Sequence, residues 1–201
     1  MDSVYFSGNM GFQVNLVGLF VFLLCLLSIV WVTKFFNKMT QLKVLYDEGW
    51  SGVLAALKRR MEIIPNFVKA VETYIPRESE TLRKITLAHE QWQSARSITE
   101  TARAEADMTE ALYAFRNATR NFPDLKTDKN IMEIQKELLE LEKRIKITRR
   151  YYNATVRDYN MEMDQIPANF IVRLMGFKHA VYFETNEQPQ NQKNERTERS
   201  D

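Results

Sequence analysis

From Ser3 to Thr33 the chain carries no charged residue, and Lys34, Lys38 and Lys43 follow at once. Leu16 to Val32 is almost unbroken hydrocarbon, about 26 Å of helix at roughly 1.5 Å per residue, and Val14 and Thr33 extend it toward the roughly 30 Å core of a bilayer. The stretch reads as one transmembrane helix. A cleaved signal peptide would need a basic start and a small-x-small exit. Here Asp2 is the only charge before the stretch, and the exit is Ile29-Val30-Trp31-Val32-Thr33-Lys34. The lysines on the C-terminal side predict an N-out anchor with the following domain in the cytoplasm, and Trp31 at the interface. Residues 1–13 are then a short extracytoplasmic segment, 14–33 the span, 34–183 one helical domain and 184–201 a tail.

Charge and cysteine narrow the function classes. The 201-residue chain has net charge +2, split as −1 over residues 1–33, +5 over 34–183 and −2 from Glu184 onward. That balance is too mild and too mixed for a nucleic-acid binder. The one cysteine, Cys25, lies inside the span, so the chain offers neither an internal disulfide nor a thiolate metal site.

Between Gly52 and Gly176 there is no glycine. Glycine supplies positive-φ turns and phosphate-cradling loops, so its absence argues against β-hairpins, a P-loop or a dinucleotide fingerprint, and leaves an all-helical domain. Pro65, Pro76, Pro123, Pro167 and Pro189 punctuate it. The first segment carries Leu42, Leu45, Gly49, Val53, Ala56, Ile63, Phe67, Val71 and Tyr74 on one face; it continues the span, kinks or restarts at Pro65, and ends near Pro76. Arg59 and Arg60 interrupt this stripe by snorkelling or by pairing with Glu62 and nearby carboxylates. The second segment, Arg77 to Asn121, carries Leu82, Ile85, Trp92, Ile98, Leu112 and Phe115, and its alanine-rich middle from Thr99 to Asp107 reads as helix. The third has a heptad stripe: Ile131, Ile134, Leu138, Leu141, Ile145, Tyr152, Val156, Tyr159, Met163 and Ile166. The expected fold is all-α: a transmembrane helix continuing into an antiparallel bundle of three long helices, with a short C-terminal helix added.

Two passages exceed what packing asks of them. Phe122-Pro123-Asp124-Leu125-Lys126 is a tight turn, and Tyr152-Asn153 is echoed seven residues later by Tyr159-Asn160, on the same face. Asparagines beside a core stripe can fix register or helix pairing, and a tyrosine can bury its ring while its hydroxyl finds a partner. Pro123, Asp124, Tyr152, Asn153, Tyr159 and Asn160 are therefore a candidate structural motif.

These residues resemble the LemA family from Gln41 to Glu184. The resemblance rests on Gly49-Trp50 with Leu57-Lys58-Arg59-Arg60, on Ile63-Ile64-Pro65-Asn66-Phe67-Val68 and on the Phe-Pro-Asp-Leu-Lys turn. It continues through the repeated Tyr-Asn and Ile166-Pro167-Ala168-Asn169 to Gly176-Phe177-Lys178 and Tyr182-Phe183-Glu184. At Tyr74-Ile75-Pro76-Arg77-Glu78 the chain departs from the family's usual proline-free pattern. The resemblance implies a bacterial protein with one N-terminal membrane helix and a bundle of long antiparallel helices. It implies no enzymatic activity and no catalytic residues.

The residues themselves offer little chemistry. His89-Glu90-Gln91-Trp92-Gln93 begins like a zinc-protease helix but lacks the second histidine, and His179 stands far from His89 in sequence. Glu133, Glu137, Glu140 and Glu142 alternate with Lys136, Lys143, Arg144 and Lys146 as a solvated face with intrahelical pairs. No catalytic, cofactor-binding or metal-ligating residue is assigned, and no cofactor is expected.

Ala168 to Phe183 is the candidate working surface: Phe170, Ile171, Leu174, Met175 and Phe177 gather around Arg173 and Lys178 as a short amphipathic helix that could dock on the bundle or meet lipid or a partner. In an up-down-up bundle it would begin at the end farthest from the membrane. The tail from Glu184 has no aromatic or branched aliphatic residue and reads as disordered. The expected function is a non-enzymatic scaffold or adaptor at the bacterial cytoplasmic membrane. Its expected partners are the lipid bilayer, membrane or cytoplasmic proteins, or further copies of itself, and not nucleic acid. The alternative is a relay that carries a membrane event into the bundle; the dozen residues ahead of the span are too few for a sensor domain.

Overall fold

The structure is a computed structural model that describes residues 3–76, 79–119 and 122–184. These residues form six helices and no strand: α1 Ser3–Val71, α2 Glu80–Ser94, α3 Ile98–Ala118, α4 Pro123–Thr127, α5 Lys129–Asp164 and α6 Ala168–Met175. The disorder expected of residues 185–201 falls outside the described residues, as do Arg77 and Glu78.

α1 is one helix of 69 residues, roughly 100 Å long. The apolar stretch and the first bundle helix are therefore a single element, as the sequence implies. Its most apolar 18-residue window has a mean hydropathy of 2.7, and no part of that window is covered by the rest of the chain. The helix is long and apolar enough there to cross a membrane.

Pro65 does not restart α1, which runs through it to Val71. A proline inside a helix has no N–H to offer the carbonyl four residues back, here Met61. The His89 side chain of α2 takes up that carbonyl, with Nε2 3.2 Å from the Met61 oxygen, which makes Nε2–H the tautomer that can donate. The cost of a mid-helix proline is thereby offset by a group from the neighbouring helix.

The expectation of a single second helix from Arg77 to Asn121 is corrected by a break at Ala95-Arg96-Ser97. Ser97 is the N-cap of α3: its Oγ accepts from Glu100 N (3.1 Å), while the Glu100 carboxylate accepts from Ser97 N (3.2 Å) and Arg96 N (2.6 Å). This reciprocal capping box satisfies amides that a helix start leaves open. α2 and α3 fold back on each other, and the bundle becomes up-down-up-down.

Contacts along α1 fix the directions. Phe115 of α3 meets Phe67 edge-on at 4.9 Å, and Tyr74 donates to Asp128, the N-cap of α5, at 2.7 Å. Farther back along α1, Arg59 pairs with Glu137, Tyr46 packs against Tyr159 at 5.0 Å, and Lys38 pairs with Glu162 at 2.5 Å. α5 therefore runs back toward the apolar stretch for its whole length. Gly49 marks a close approach of the pair, since a Cβ there would lie 3.2 Å from Tyr152 Cα.

The α2–α3 hairpin covers only the half of this pair nearer the tip. There Ile64, Phe67, Val71, Leu82, Ile85, Met108, Phe115, Leu125 and Ile131 form a buried cluster. Toward the other half the base of the hairpin, with Ala102, joins the chain from Phe177 to Phe183 in a cluster around Val53, Tyr152 and Phe183, and α6 builds one around Phe35, Met39, Met163 and Val172. The stripes hold with two exceptions: Leu45 is exposed on α1, and Ile166, beyond the end of α5, is 83% exposed.

Candidate functional site

The repeated Tyr-Asn pair is a clamp on the chain's own extended segment. Asn160 receives Ala180 N on Oδ1 (2.9 Å) and donates Nδ2 to Ala180 O (3.0 Å). Asn153 does the same for Phe183, at 2.9 and 3.1 Å, and the Tyr152 hydroxyl donates to Val181 O at 2.6 Å. Seven residues of helix advance about 10.5 Å and three of extended chain about 10 Å, so two asparagines a heptad apart meet main-chain groups three residues apart. Four of the five bonds read only the backbone through carboxamides, which can donate and accept at once. Phe183 supplies the anchor, buried against Trp50 (6.0 Å between ring centres) and Tyr152. Burial pushes the Tyr152 hydroxyl up to about 12, with Tyr46 and Asp47 adding to the shift, so it stays a donor through neutral pH.

This revises the expected role of the asparagines, which hold the C-terminal strap and do not set helix pairing. Tyr159 does not join the clamp; its ring lies in the Phe35–Met39 cluster. Pro123 and Asp124 open α4 at the opposite end of α5, so the structure does not bring them to the clamp.

α6 is corrected in position. Because the bundle has an even number of long passes, the helix begins where α5 ends, beside the apolar stretch and not at the far tip. Ala168 and Val172 are buried on Phe35 and Met39, with Ile171 and Phe177 half-buried at the edges. Phe177 tilts against Phe36 with ring centres 6.2 Å apart, and Met175 is 44% exposed. The Phe170 and Leu174 side chains lie outside those described. Gly176 closes the helix at φ +74°, a left-handed cap that suits glycine.

The carboxylate pairing expected of Arg60 is present, but it is buried and its partner lies on another helix. Arg60 is 1% exposed yet charged, and its Nη1 meets Glu105 Oε1 of α3 at 2.5 Å and Thr109 Oγ1 at 3.1 Å. Arg60 Nε and Glu105 Oε2 have no partner. Burial pushes the Glu105 carboxyl upward, opposed by Arg60 and Thr109. Arg60 also lines a groove of about 380 Å³ between α3 and α5. Phe67, Phe115 and Leu138 are its apolar floor, Tyr113, Met132 and Leu139 its exposed walls, and Arg116, Lys136 and Glu142 its charged lining. The volume is in the range of ligand clefts.

The remaining polar groups occupy structural or surface positions. Arg59 bridges Glu62 of its own helix (3.6 Å) and Glu137 of α5 (2.7 Å), so Glu137 reaches across to α1 rather than serving only the expected intrahelical pairs. His179 lies 3.0 Å from Asp164 on the surface. Among the described residues no three His, Cys, Asp or Glu side chains come together to hold a metal ion.

A sequence model of the LemA family matches residues 49–196, which include α2 to α6, the clamp and the groove. No curated protein matches the chain.

Proposed function

Since the chain belongs to the LemA family, we propose that it is a non-enzymatic scaffold or adaptor anchored in the bacterial cytoplasmic membrane by the apolar part of α1. It holds partner proteins, or further copies of itself, at a fixed height above the bilayer. The observation that carries this reading is the continuity of α1, one helix from Ser3 to Val71 with no break between the apolar stretch and the bundle. A hinge-free joint costs nothing to an enzyme but is required of a spacer. The strap and α6 brace the same joint from the side.

The groove between α3 and α5 suits one turn-by-turn helical partner, an amphipathic helix with acidic flanks, because Arg116 and Lys136 outnumber Glu142 along it. The N-out orientation follows from the lysines after the span. Two experiments test the proposal. Protease protection of the C-terminal tail in spheroplasts reads the compartment. Photo-cross-linking from Leu139 in native membranes reads assembly, and a strictly monomeric, partner-free chain would overturn the scaffold reading.

The unbroken α1 also favours a second reading, a relay from the membrane into the bundle. Three glycines inserted after Thr33, ahead of the first residue gripped by α6, would abolish a relay's output, whereas a scaffold would still cross-link to its partners from Leu139 and lose only their fixed height.

A further inference from the structure

α6 packs on Phe35 and Met39. Those residues stand about 5 Å and 10 Å beyond Val32 along the axis of α1. A bilayer's polar layer is about 5–8 Å thick on each side of its hydrocarbon core. With the span seated, α6 has nowhere to be except in or against that layer, and this follows from continuity of one helix, whichever way α6 itself points.

The exposed chemistry of this collar matches such a medium. Phe36 and Met175 are each 44% exposed and Ile166 is 83% exposed, three large apolar side chains left bare at one end of the bundle. Exposed basic residues stand among them, Lys34 and Lys178, beside Lys38 in its pair with Glu162. Trp31 stacks on Phe35 at 5.7 Å just inside this level. Apolar side chains beside lysines that can reach headgroups form the pattern of an interfacial segment.

We infer that the α6 collar is a second membrane-contact site, in which Ile166, Met175 and Phe36 enter the boundary between headgroups and acyl chains. This rests on the membrane reading of α1 given above. One span alone leaves the bundle free to tilt and to rotate about its axis. A second contact, off the axis, fixes which side of the bundle faces along the membrane and which faces are offered to partners.

The test uses the full chain with Cys25→Ala, in phosphatidylcholine–phosphatidylglycerol nanodiscs. Single nitroxide-labelled cysteines replace Val30, Ile166, Met175 or Leu139, and their collision with oxygen and with a water-soluble nickel chelate is measured. Val30 is expected to be oxygen-dominated and Leu139 nickel-dominated. Ile166 and Met175 should fall between them, with oxygen-to-nickel ratios above that of Leu139. Ratios equal to Leu139 at both positions, with Val30 still oxygen-dominated, would overturn the collar alone. Poor access to both reagents at Ile166 and Met175 would mean that protein covers the face, and would overturn the lipid assignment. Nickel access at Val30 would overturn the membrane reading and this inference with it. Two collar positions are used so that a local disturbance from one label does not decide the result.

Discussion

Replacing Glu105 by leucine isolates the energetic weight of the buried ion pair. The guanidinium of Arg60 would keep only the Thr109 hydroxyl at 3.1 Å, in a site where the side chain is 1% exposed and cannot turn to water. Removing one partner of a buried pair costs about 3–5 kcal/mol, because the remaining charge stays desolvated. For a chain of this size that corresponds to a fall of about 6–20 °C in the melting temperature. The double variant Arg60→Met/Glu105→Leu removes both charges and both unpaired atoms, Arg60 Nε and Glu105 Oε2, and should recover most of the loss. Glu105→Gln keeps an acceptor for Arg60 and should fall between, at about 1–3 kcal/mol. The assay is thermal unfolding of the full chain in detergent, followed by the helical circular dichroism signal. A Glu105→Leu chain as stable as the parent, or a double variant no better than the single, would refute the reasoning.

Other perturbations follow from particular contacts. His89→Leu removes the side chain that meets the Met61 carbonyl in place of the Pro65 amide and should cost about 1–3 kcal/mol, whereas the double variant with Pro65→Ala restores the helix's own bond and should lose less in the same melt. Gly49→Val presses side chain against Tyr152 Cα and should destabilise by about 1–3 kcal/mol, read in the same way. Asn153→Ala with Asn160→Ala removes four strap bonds and should raise amide hydrogen exchange at Ala180 and Phe183 while leaving α2 and α3 protected; unchanged exchange would dismiss the clamp. The amides of Arg96 and Ser97 hold the Glu100 carboxyl below its usual range, and those of the first turn of α5, with Tyr74, do so for Asp128. A lowered folded value means stability that is complete above the ordinary carboxylate range and lost as pH falls through the folded values, so Glu100→Gln should flatten the acid limb of the stability curve.

The stripes on α1 and α5 were readable because each is a long run of periodic apolar residues, and α5 shows eight of the ten expected positions buried. The break at Ala95 is spelled in the sequence, since Ser97 with Glu100 three residues on is a capping box, but an alanine-rich stretch of high helix propensity surrounds it. That one turn sets the parity of the bundle, and parity alone decides at which end α6 sits. Arg60 gave a signal only as a charge in an apolar stripe; its partner lies 45 residues away on a helix whose own stripe is narrow. For the asparagines the heptad recurrence was visible, but nothing in the spacing says what they hold, since register pairing and main-chain capture both want a carboxamide on that face.

The clamp also sets an address part-way along the bundle. The strap delivers Phe183 beside Trp50, some 27 Å along α1 from Val32. Glu184, the next residue, is exposed. A fluorophore attached at Glu184 would therefore report on the middle of the bundle, about half-way along the roughly 58 Å of α1 between Val32 and Val71. At the far end Ile75 and Leu125 are buried in the tip cluster and Tyr74 donates to Asp128. Measuring how far the tip reaches would require a probe there.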